Sequence, residues 1–237
     1  MTTAGSPGFH PPVASMYTLV RAHGDAATFH GRALPDPPGR EVWQHDIDAP
    51  ALVLGSTQHE DAVDLEGCAR QGIAVVRRRS GGGAVLLRPG EVTWIDVIVP
   101  RGAPGWRADV HAPMIWLGRH LAAAIHVAAG GSIAAERLTV HHGRPVTTRW
   151  SSAICFDGVG AGEVLLDGRK LVGISQRRTR DAARLQCAWH SVYDPAALVG
   201  LLARRDRPDP RALARVATLP AELGAAIVEA LLPLLAR

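Results

Sequence analysis

Apolar residues occur in short, β-branched runs along the middle of the chain. The first group of runs covers residues 51–55, 72–78, 84–88 and 92–100, and glycines and prolines separate its members. Short apolar runs bounded by turn-forming residues are typical of β-strands. The pattern predicts a sheet built from hairpins in this part of the chain.

A second group of apolar runs lies farther along the chain. Runs at 163–166 and 170–175 flank Asp167-Gly168, and a third run covers 185–192. An Asp-Gly pair between two apolar runs is a strong signal for a two-residue hairpin turn. We therefore expect a hairpin centred on this pair.

Helices are predicted on both sides of the strand groups. Between Asp109 and Ala128 the apolar residues recur at helical spacing, and two glycines close the run. A first helix is predicted near Val13–Thr28. A last amphipathic helix follows Pro220, and Pro233 is expected to break its final turn. Helices and strands in this mixed order predict an α+β fold.

Composition narrows the class of protein. The chain has 237 residues, 47% hydrophobic and 20% charged, which suffices for a core and excludes disorder, collagen and coiled coil. Residues 1–15 are expected to form a flexible tail, and residues 16–237 a single domain with C-terminal helices. No run reaches the length of a membrane helix, and the first residues, MTTAGSPGFHPP, lack the basic-then-apolar profile of a secretory signal, so we expect a soluble cytoplasmic protein.

Cysteine and charge exclude further classes. The three cysteines form no CxxC pair, so they are expected to be free thiols and no metal site is predicted. The net charge is +4, and the basic residues are scattered except at 77–79 and 177–178. This modest excess fits an acidic substrate or partner as well as a nucleic acid.

One lysine stands among the basic residues. Of the 26 Lys and Arg residues, Lys170 alone is a lysine. An ammonium is a compact charge with three rotatable donors, which the planar guanidinium of arginine cannot replace. In a strand that starts here, strict alternation would place Lys170 and Val172 on one face, and Gly173 would let a ligand come close. The alternative is a solvated lysine beside the hairpin turn.

Three consecutive glycines follow an arginine-rich strand. In the segment RRRSGGGAV, residues 77–85, Gly81–Gly83 lack side chains, so their N–H groups can converge on a carboxylate or phosphate. The arginines before them add charged donors. The segment is not a Walker A loop, because the GK[ST] ending is absent. The alternative is a flexible hairpin tip.

Cys155 lies in a glycine-rich loop, residues 151–162. Such a loop is not a core strand, so Cys155 is expected to be more accessible than Cys68 or Cys187. Cationic neighbours favour the thiolate, the form a nucleophile needs. The alternative is a small buried hydrophobic residue. No role is predicted for His141, His142 or His190, since they form no metal-ligand spacing.

Two segments, RRRSGGGAV at 77–85 and DGRKLVGISQRR at 167–178, resemble the signature segments of the lipoate–protein ligase and octanoyltransferase family. That family shares its catalytic fold with biotin–protein ligases. The resemblance covers about residues 45–195 and includes ALVLGSTQ at 51–58. It implies a mixed or antiparallel sheet flanked by helices, with a fatty-acyl tunnel under the glycine loop. It also implies an enzyme that attaches an octanoyl or lipoyl group to a lysine of a lipoyl domain.

The resemblance implies roles for particular residues. Cys155 and Lys170 are the expected catalytic residues: a nucleophile and a donor to the acyl carbonyl. The residues expected to bind the acyl group or shape its site are Arg77, Arg78, Ser80, Gly81, Gly82, Gly83, Ala84, Gly173, Ser175 and Gln176.

Two chemistries occur in the family. Cysteine-dependent transferases carry a Cys-Phe pair and then a Glu before the lysine, and Cys155-Phe156, Glu163 and Lys170 match that order. Ligases carry an Asn-Asp pair where this chain has Gly162-Glu163. The match favours a thioester at Cys155, although the transferases more often carry Arg at the position of Gly83, and the triglycine is the ligase form.

These alternatives imply different cofactors and donors. The thioester route needs no cofactor, whereas a ligase would need ATP and Mg²⁺. The expected partners are lipoyl-domain acceptors, with octanoyl carrier protein or free lipoate as donor, and neither nucleic acid nor membrane. A non-catalytic acyl-binding relative is the third possibility. Biotin ligation is disfavoured, because RRRSGGG replaces the GRGRxGR-type loop of biotin ligases.

Overall fold

The computed structural model describes residues 16–236, so the predicted tail at 1–15 lies outside the described residues. The strands are β1 (Thr18–Gly24), β2 (Glu41–Ile47), β3 (Ala51–Leu54), β4 (Ala74–Arg77), β5 (Val85–Leu87), β6 (Val92–Pro100), β7 (Leu138–Val140), β8 (Val164–Leu166), β9 (Arg169–Arg178) and β10 (Ala182–His190). The α-helices are α1 (Ala26–Gly31), α2 (Leu65–Arg70), α3 (His111–Ala128), α4 (Pro195–Gly200) and α5 (Leu223–Leu235). The predicted α+β class is confirmed.

The strands form two sheets rather than one. A seven-stranded sheet has the order β1-β2-β6-β10-β9-β8-β7, and a three-stranded sheet has the order β4-β3-β5. β1 pairs with β2, and β3 with β4, in parallel, while the other pairs are antiparallel. The prediction of a single sheet of hairpins at 51–100 is therefore wrong, because β3, β4 and β5 leave the sheet that contains β6.

The start of the described chain also departs from the prediction. The helix expected near Val13–Thr28 is instead strand β1 over most of its described part. Asp25 then accepts a hydrogen bond from the Thr28 N–H at 2.8 Å and begins the short helix α1. An N-terminal cap of this kind defines where a helix starts. Strand β2 was not predicted from the sequence.

Helices α3 and α5 cover one face of the large sheet. Leu117, Leu121 and Ile125 of α3 are fully buried in one core with Ile227 and Leu231 of α5. The helix predicted between 109 and 128 is thus confirmed. Helix α5 continues to Leu235 past Pro233, so the predicted break is wrong. A proline this close to the end removes one hydrogen bond without ending the helix.

The other face of the large sheet meets the small sheet. Trp94 of β6 packs there with Val53, Val76 and Leu87 of the small sheet, in a core that also contains Phe29. Because side chains alternate along a strand, β2 and β6 contribute to both cores: Val42 and Ile95 belong to the helix-covered core, and Ile47 and Trp94 to the core between the sheets. The space between the two sheets holds the site described below.

The hairpin between β8 and β9 follows the prediction. Asp167 has φ 51° and Gly168 has φ 75°. Two central residues with positive φ define the type I′ turn that Asp-Gly favours. The turn leads directly into Lys170. Among residues 16–236, no helix is long and apolar enough to cross a membrane.

Candidate active site

The glycine loop is held from beneath by Arg78. Arg78 is 5% exposed, and its guanidinium donates to the carbonyl oxygens of Gly81 at 2.8 Å, Gly83 at 2.9 Å and Val53 at 3.3 Å. Hydrogen bonds to three carbonyl oxygens fix the path of the loop relative to β3. Arg78 therefore organises the loop, and the alternative of a flexible hairpin tip is not what the structure shows.

The glycines allow close backbone approach. A Cβ on Gly83 would lie 2.6 Å from the backbone of Ile154, and a Cβ on Gly55 would lie 1.8 Å from the Gly82 carbonyl oxygen. Gly82 also has φ +100°. A side chain on Gly83 would push the loop away from residues 154–155, and one on Gly55 would displace Gly82.

Cys155 lies against this loop. Ala84 joins the glycine loop to the segment that contains Cys155. Its N–H donates to the Ala153 oxygen at 2.8 Å, and its oxygen accepts from the Cys155 N–H at 3.0 Å. Cys155 then starts a 3-10 turn, Cys155–Asp157. A Cβ on Gly82 would lie 3.7 Å from the Cys155 Sγ. Cys155 is half-buried, whereas Cys68 and Cys187 are buried, as expected from its loop position.

Lys170 is buried beneath the Cys155 turn. Its Nζ donates to the oxygens of Cys155 at 2.9 Å and Gly158 at 3.0 Å, and lies 2.8 Å from the Glu163 carboxylate. Three acceptors match the three N–H bonds of an ammonium. The alternative of a solvated turn lysine is wrong, since the side chain is 4% exposed.

Electrostatics keep this lysine charged. Burial lowers the pKa of Lys170, but the Glu163 carboxylate and the Cys155 thiol group outweigh burial and raise the pKa above its ordinary value. Glu163 itself accepts from the N–H groups of Gly160 at 2.7 Å and Ile174 at 3.2 Å. The Glu163–Lys170 pair thereby ties the Cys155 loop to strand β9.

A β-bulge sets the direction of Lys170. Leu165 pairs with Lys170 and Val164 with Val172, which leaves Leu171 without a partner in β8. Past the bulge, a Cβ on Gly173 would lie 3.6 Å from Lys170 Cε. Lys170 and Gly173 therefore share a side of β9, and strict alternation fails here because a bulge shifts the register.

A cavity opens between the two sheets beside Cys155. It has about 480 Å³ of space free of protein atoms, part of it open to solvent. Val53, Val85 and Leu87 of the small sheet form one wall, and β9 and β10 form the opposite wall with Gly173 and Ala188. Most of this lining is apolar, which suits a hydrocarbon chain.

The structure brings most of the predicted residues together. Ser80 Oγ lies 3.0 Å from Ser175 Oγ, and Ser175 lines the cavity together with Arg78 and Gly173. Ala84 and the three glycines adjoin Cys155 as described above.

Two predicted residues lie elsewhere. Arg77 is directed to the Gln58 carbonyl oxygen and lies 3.7 Å from the Glu60 carboxylate. Gln176 donates to the Val110 oxygen at 3.4 Å and is not among the cavity-lining residues. Both sit in signature segments, but the side chains of a strand point to two faces, so not every residue of the motif can reach one cavity.

Sequence reasoning missed the far wall of the cavity. His30, Trp94 and Gln186 line it, and His30 Nδ1 lies 3.3 Å from Gln186 Nε2. Burial lowers the pKa of His30 to about 3, a shift that the nearby Asp96 opposes. None of the three belongs to a motif, so no local pattern could have revealed them.

His190, for which the sequence predicts no role, lies behind Phe156. It is buried, its Nε2 has no hydrogen-bond partner among the described residues, and its ring lies 4.9 Å from that of Phe156. Burial, and then the positive charge of Lys170, lower the pKa of His190 to about 4. The His190 ring is therefore neutral at ordinary pH.

A second buried polar network supports the far wall. Asp96 accepts from Arg184 Nε at 2.9 Å and from the Trp94 indole N–H at 3.0 Å, and lies 2.8 Å from His45 Nε2. Arg184 and Asp96 are almost completely buried. Paired and hydrogen-bonded groups of this kind hold their neighbours in one arrangement.

Residues 32–230 match the family model described as the lipoyl protein ligase A/B catalytic domain. The chain belongs to this enzyme family. The resemblance drawn from the two signature segments is confirmed, and the family model covers the glycine loop, Cys155 and Lys170.

Individual proteins of known name are also similar. The octanoyltransferase LipM of Kyrpidia tusciae is 29% identical over 202 residues, covering 85% of this chain and 68% of that protein. LipM of Moorella thermoacetica is 35% identical over 131 residues, covering 54% of this chain and 45% of that protein.

Solved structures show the same fold. A bipartite lipoate protein ligase from Thermoplasma acidophilum has a TM-score of 0.61 at 16% identity, covering 91% of this chain and 81% of that chain. A lipoate-protein ligase A bound with ATP has a TM-score of 0.59 at 16% identity, covering 91% and 83%. At these identities the likeness concerns the fold alone.

Proposed function

We propose that this chain transfers an octanoyl or lipoyl group to a lysine of a lipoyl-domain protein, through a thioester at Cys155. The observation that carries the proposal is the half-buried Cys155 thiol on the wall of an apolar cavity, beside the glycine loop. The similar LipM proteins are named octanoyltransferases, which supports an octanoyl donor. We also propose that the protein acts in the cytoplasm.

The proposed reaction has two steps. The Cys155 thiol gives up its proton, and the thiolate attacks the carbonyl carbon of an acyl thioester. The Sγ–C bond forms, the donor C–S bond breaks, and the donor sulfur leaves as a thiol carrying the proton that Cys155 released. An acceptor lysine amine then attacks the same carbon, forms an amide and releases Cys155, whose sulfur takes up the proton that the amine loses. Splitting the transfer in this way is ordinary covalent catalysis.

The glycine loop is the proposed oxyanion-binding element. Among the described residues, the N–H groups of Gly82 and Gly83 donate to no protein acceptor. Removing one such donor typically slows a reaction by about 10²–10³. Because all three Lys170 donors are already used, we assign Lys170 to holding the Cys155 turn and supplying positive charge, rather than to a direct bond with the acyl carbonyl.

The test is acylation of the enzyme. Wild-type protein incubated with octanoyl carrier protein is expected to gain the mass of one octanoyl group, measured by intact mass spectrometry. Cys155→Ala should abolish this adduct, whereas Cys68→Ala, which removes a buried thiol away from the cavity, should retain it. An adduct of equal yield on Cys155→Ala would overturn the thioester route.

A second assay separates the alternatives. An apo lipoyl domain is incubated with the enzyme and either octanoyl carrier protein or ATP, Mg²⁺ and lipoate. The proposal predicts a mass shift of the acceptor with the first pair and its loss in Cys155→Ala. Modification with ATP and lipoate that persists in Cys155→Ala would establish a ligase instead. No modification with either pair would favour the non-catalytic alternative.

A further inference from the structure

The cavity floor follows one row of residues across three strands. Gly173 of β9 pairs with Ala188 of β10, and Ala188 pairs with Trp94 of β6. All three residues line the cavity. The row therefore begins with two residues that have little or no side chain and ends with the largest side chain of all.

The row starts at the reaction centre. A Cβ on Gly173 would lie 3.2 Å from the Phe156 ring and 3.6 Å from Lys170 Cε. Phe156 follows Cys155 directly, so an acyl group on Cys155 begins near Gly173. Ala188 and Trp94 are the next two residues of the row, and both line the same cavity.

Trp94 is held rigidly at the far end. Its indole N–H donates to Asp96 at 3.0 Å, and the centroid of its ring lies 4.4 Å from that of His30 and 4.6 Å from that of His45. Gln186 lies 3.3 Å from His30 and accepts from Ser80 at 3.3 Å. A wall fixed by a hydrogen bond and two ring contacts cannot move aside without breaking them.

We propose that Trp94, supported by His30, stops the acyl chain and sets its length. Neighbouring strands lie about 4.8 Å apart, so the row from Gly173 to Trp94 spans roughly 10 Å. A carbon–carbon bond of about 1.5 Å advances an extended chain by roughly 1.3 Å. The span fits about seven or eight bonds, a chain of about eight carbons. This inference rests on the proposed function for the identity of the ligand as an acyl chain.

Binding of straight-chain fatty acids tests whether Trp94 limits the chain length, without relying on acyl transfer. We expect the wild-type affinity, measured by titration calorimetry, to rise about fourfold for each methylene up to octanoate, and to stop rising for decanoate and dodecanoate. Trp94→Leu opens the end of the row and should bind decanoate about tenfold more tightly than the wild type does.

A second variant acts in the opposite direction. Ala188→Val places two methyl groups in the middle of the row, so octanoate binding should weaken more than tenfold while butyrate binding changes little. Val127→Ala, which alters an exposed valine of α3, is the matched control and should leave the profile unchanged. Circular dichroism checks that each variant is folded. Trp94→Phe, a smaller ring that should shift the length limit in the same direction, replaces Trp94→Leu if that variant does not fold.

The outcomes separate this inference from the proposed function. If the dependence of affinity on chain length is the same in the folded variants and the wild type, the proposed role of Trp94 is overturned, even if acyl transfer is observed. If the preferred chain length shifts in the variants but no acyl group is transferred to any lipoyl domain, the role of Trp94 is supported and the transferase proposal is overturned. No binding of any chain length overturns the proposed role of Trp94, whereas the transferase proposal is decided separately by the octanoyl adduct on Cys155.

Discussion

At the scale of single residues, the Glu163–Lys170 pair is central to the site. Both side chains are about 95% buried and their charged atoms lie 2.8 Å apart. Two ions removed from water stabilise a fold only when each finds further partners. Here Lys170 has two carbonyl oxygens and Glu163 has two N–H groups, so the pair links the Cys155 turn to β9 through six polar groups.

Removing the charge of Glu163 should lower the free energy of unfolding, because the buried Lys170 ammonium then has no counter-ion. Glu163→Gln keeps the shape but leaves an ammonium without a counter-ion, so we expect the free energy of unfolding to fall by roughly 3–5 kcal/mol. Urea denaturation measures the change. Glu222→Gln, on an exposed glutamate, should stay within about 0.5 kcal/mol of wild type. Equal stability of E163Q and wild type would show that the pair contributes nothing.

At the scale of elements, the glycine loop and the Cys155 turn form one unit. Arg78 clamps the loop, and the Ala84 bridge carries it to Ile154 and Cys155. The third glycine, Gly83, is where the family's transferases more often carry Arg. In this chain the Ile154 backbone occupies the space that a side chain would need.

Two glycines of the loop should therefore differ in their response to alanine. Gly83→Ala forces the loop off Ile154, and we expect a loss of about 1–3 kcal/mol in the free energy of unfolding, as for other overpacked sites. It should also slow acylation of Cys155. A Cβ on Gly81 has nothing within 4 Å, so Gly81→Ala should remain within about 0.5 kcal/mol of wild type. Equal effects at the two positions would contradict this packing.

At the scale of the whole molecule, the two sheets enclose titratable groups that the fold keeps neutral. The pKa of His190 is about 4 and that of His30 about 3, because burial disfavours the charged ring. Above about pH 6.5 both rings are neutral in the folded and unfolded chains, so neither affects stability. Below this pH, the two histidines bind protons in the unfolded chain but stay neutral in the folded chain.

Stability should therefore fall as the pH decreases from about 6.5 to about 4. The His190 shift corresponds to about 3 kcal/mol over this window. Urea denaturation between pH 7 and pH 4 measures the loss, and His190→Phe, which keeps a ring beside Phe156, should make the dependence shallower. Val127→Ala, at an exposed position with no titratable group, should leave it unchanged. An identical pH dependence in H190F and wild type would exclude His190 as a source.

The sequence alone determined the features that depend on near neighbours along the chain. Helix α3, the Asp167-Gly168 hairpin and the glycine loop with its arginines follow from residues a few positions apart. The family resemblance follows from two short segments of the same kind. Lys170 is conspicuous from composition alone, as the single lysine of the chain.

Only the tertiary structure decided how these parts meet. Gln186 joins Ser80 across 106 positions and His30 across 156, and no local pattern encodes such contacts. The separation into two sheets, the bulge that turns Lys170 toward Gly173, and the Trp94 wall arise from pairing between distant strands. The physical reason is that a turn or helix forms through local hydrogen bonds and backbone preferences, whereas a cavity exists only where separately formed surfaces fail to fill the space between them.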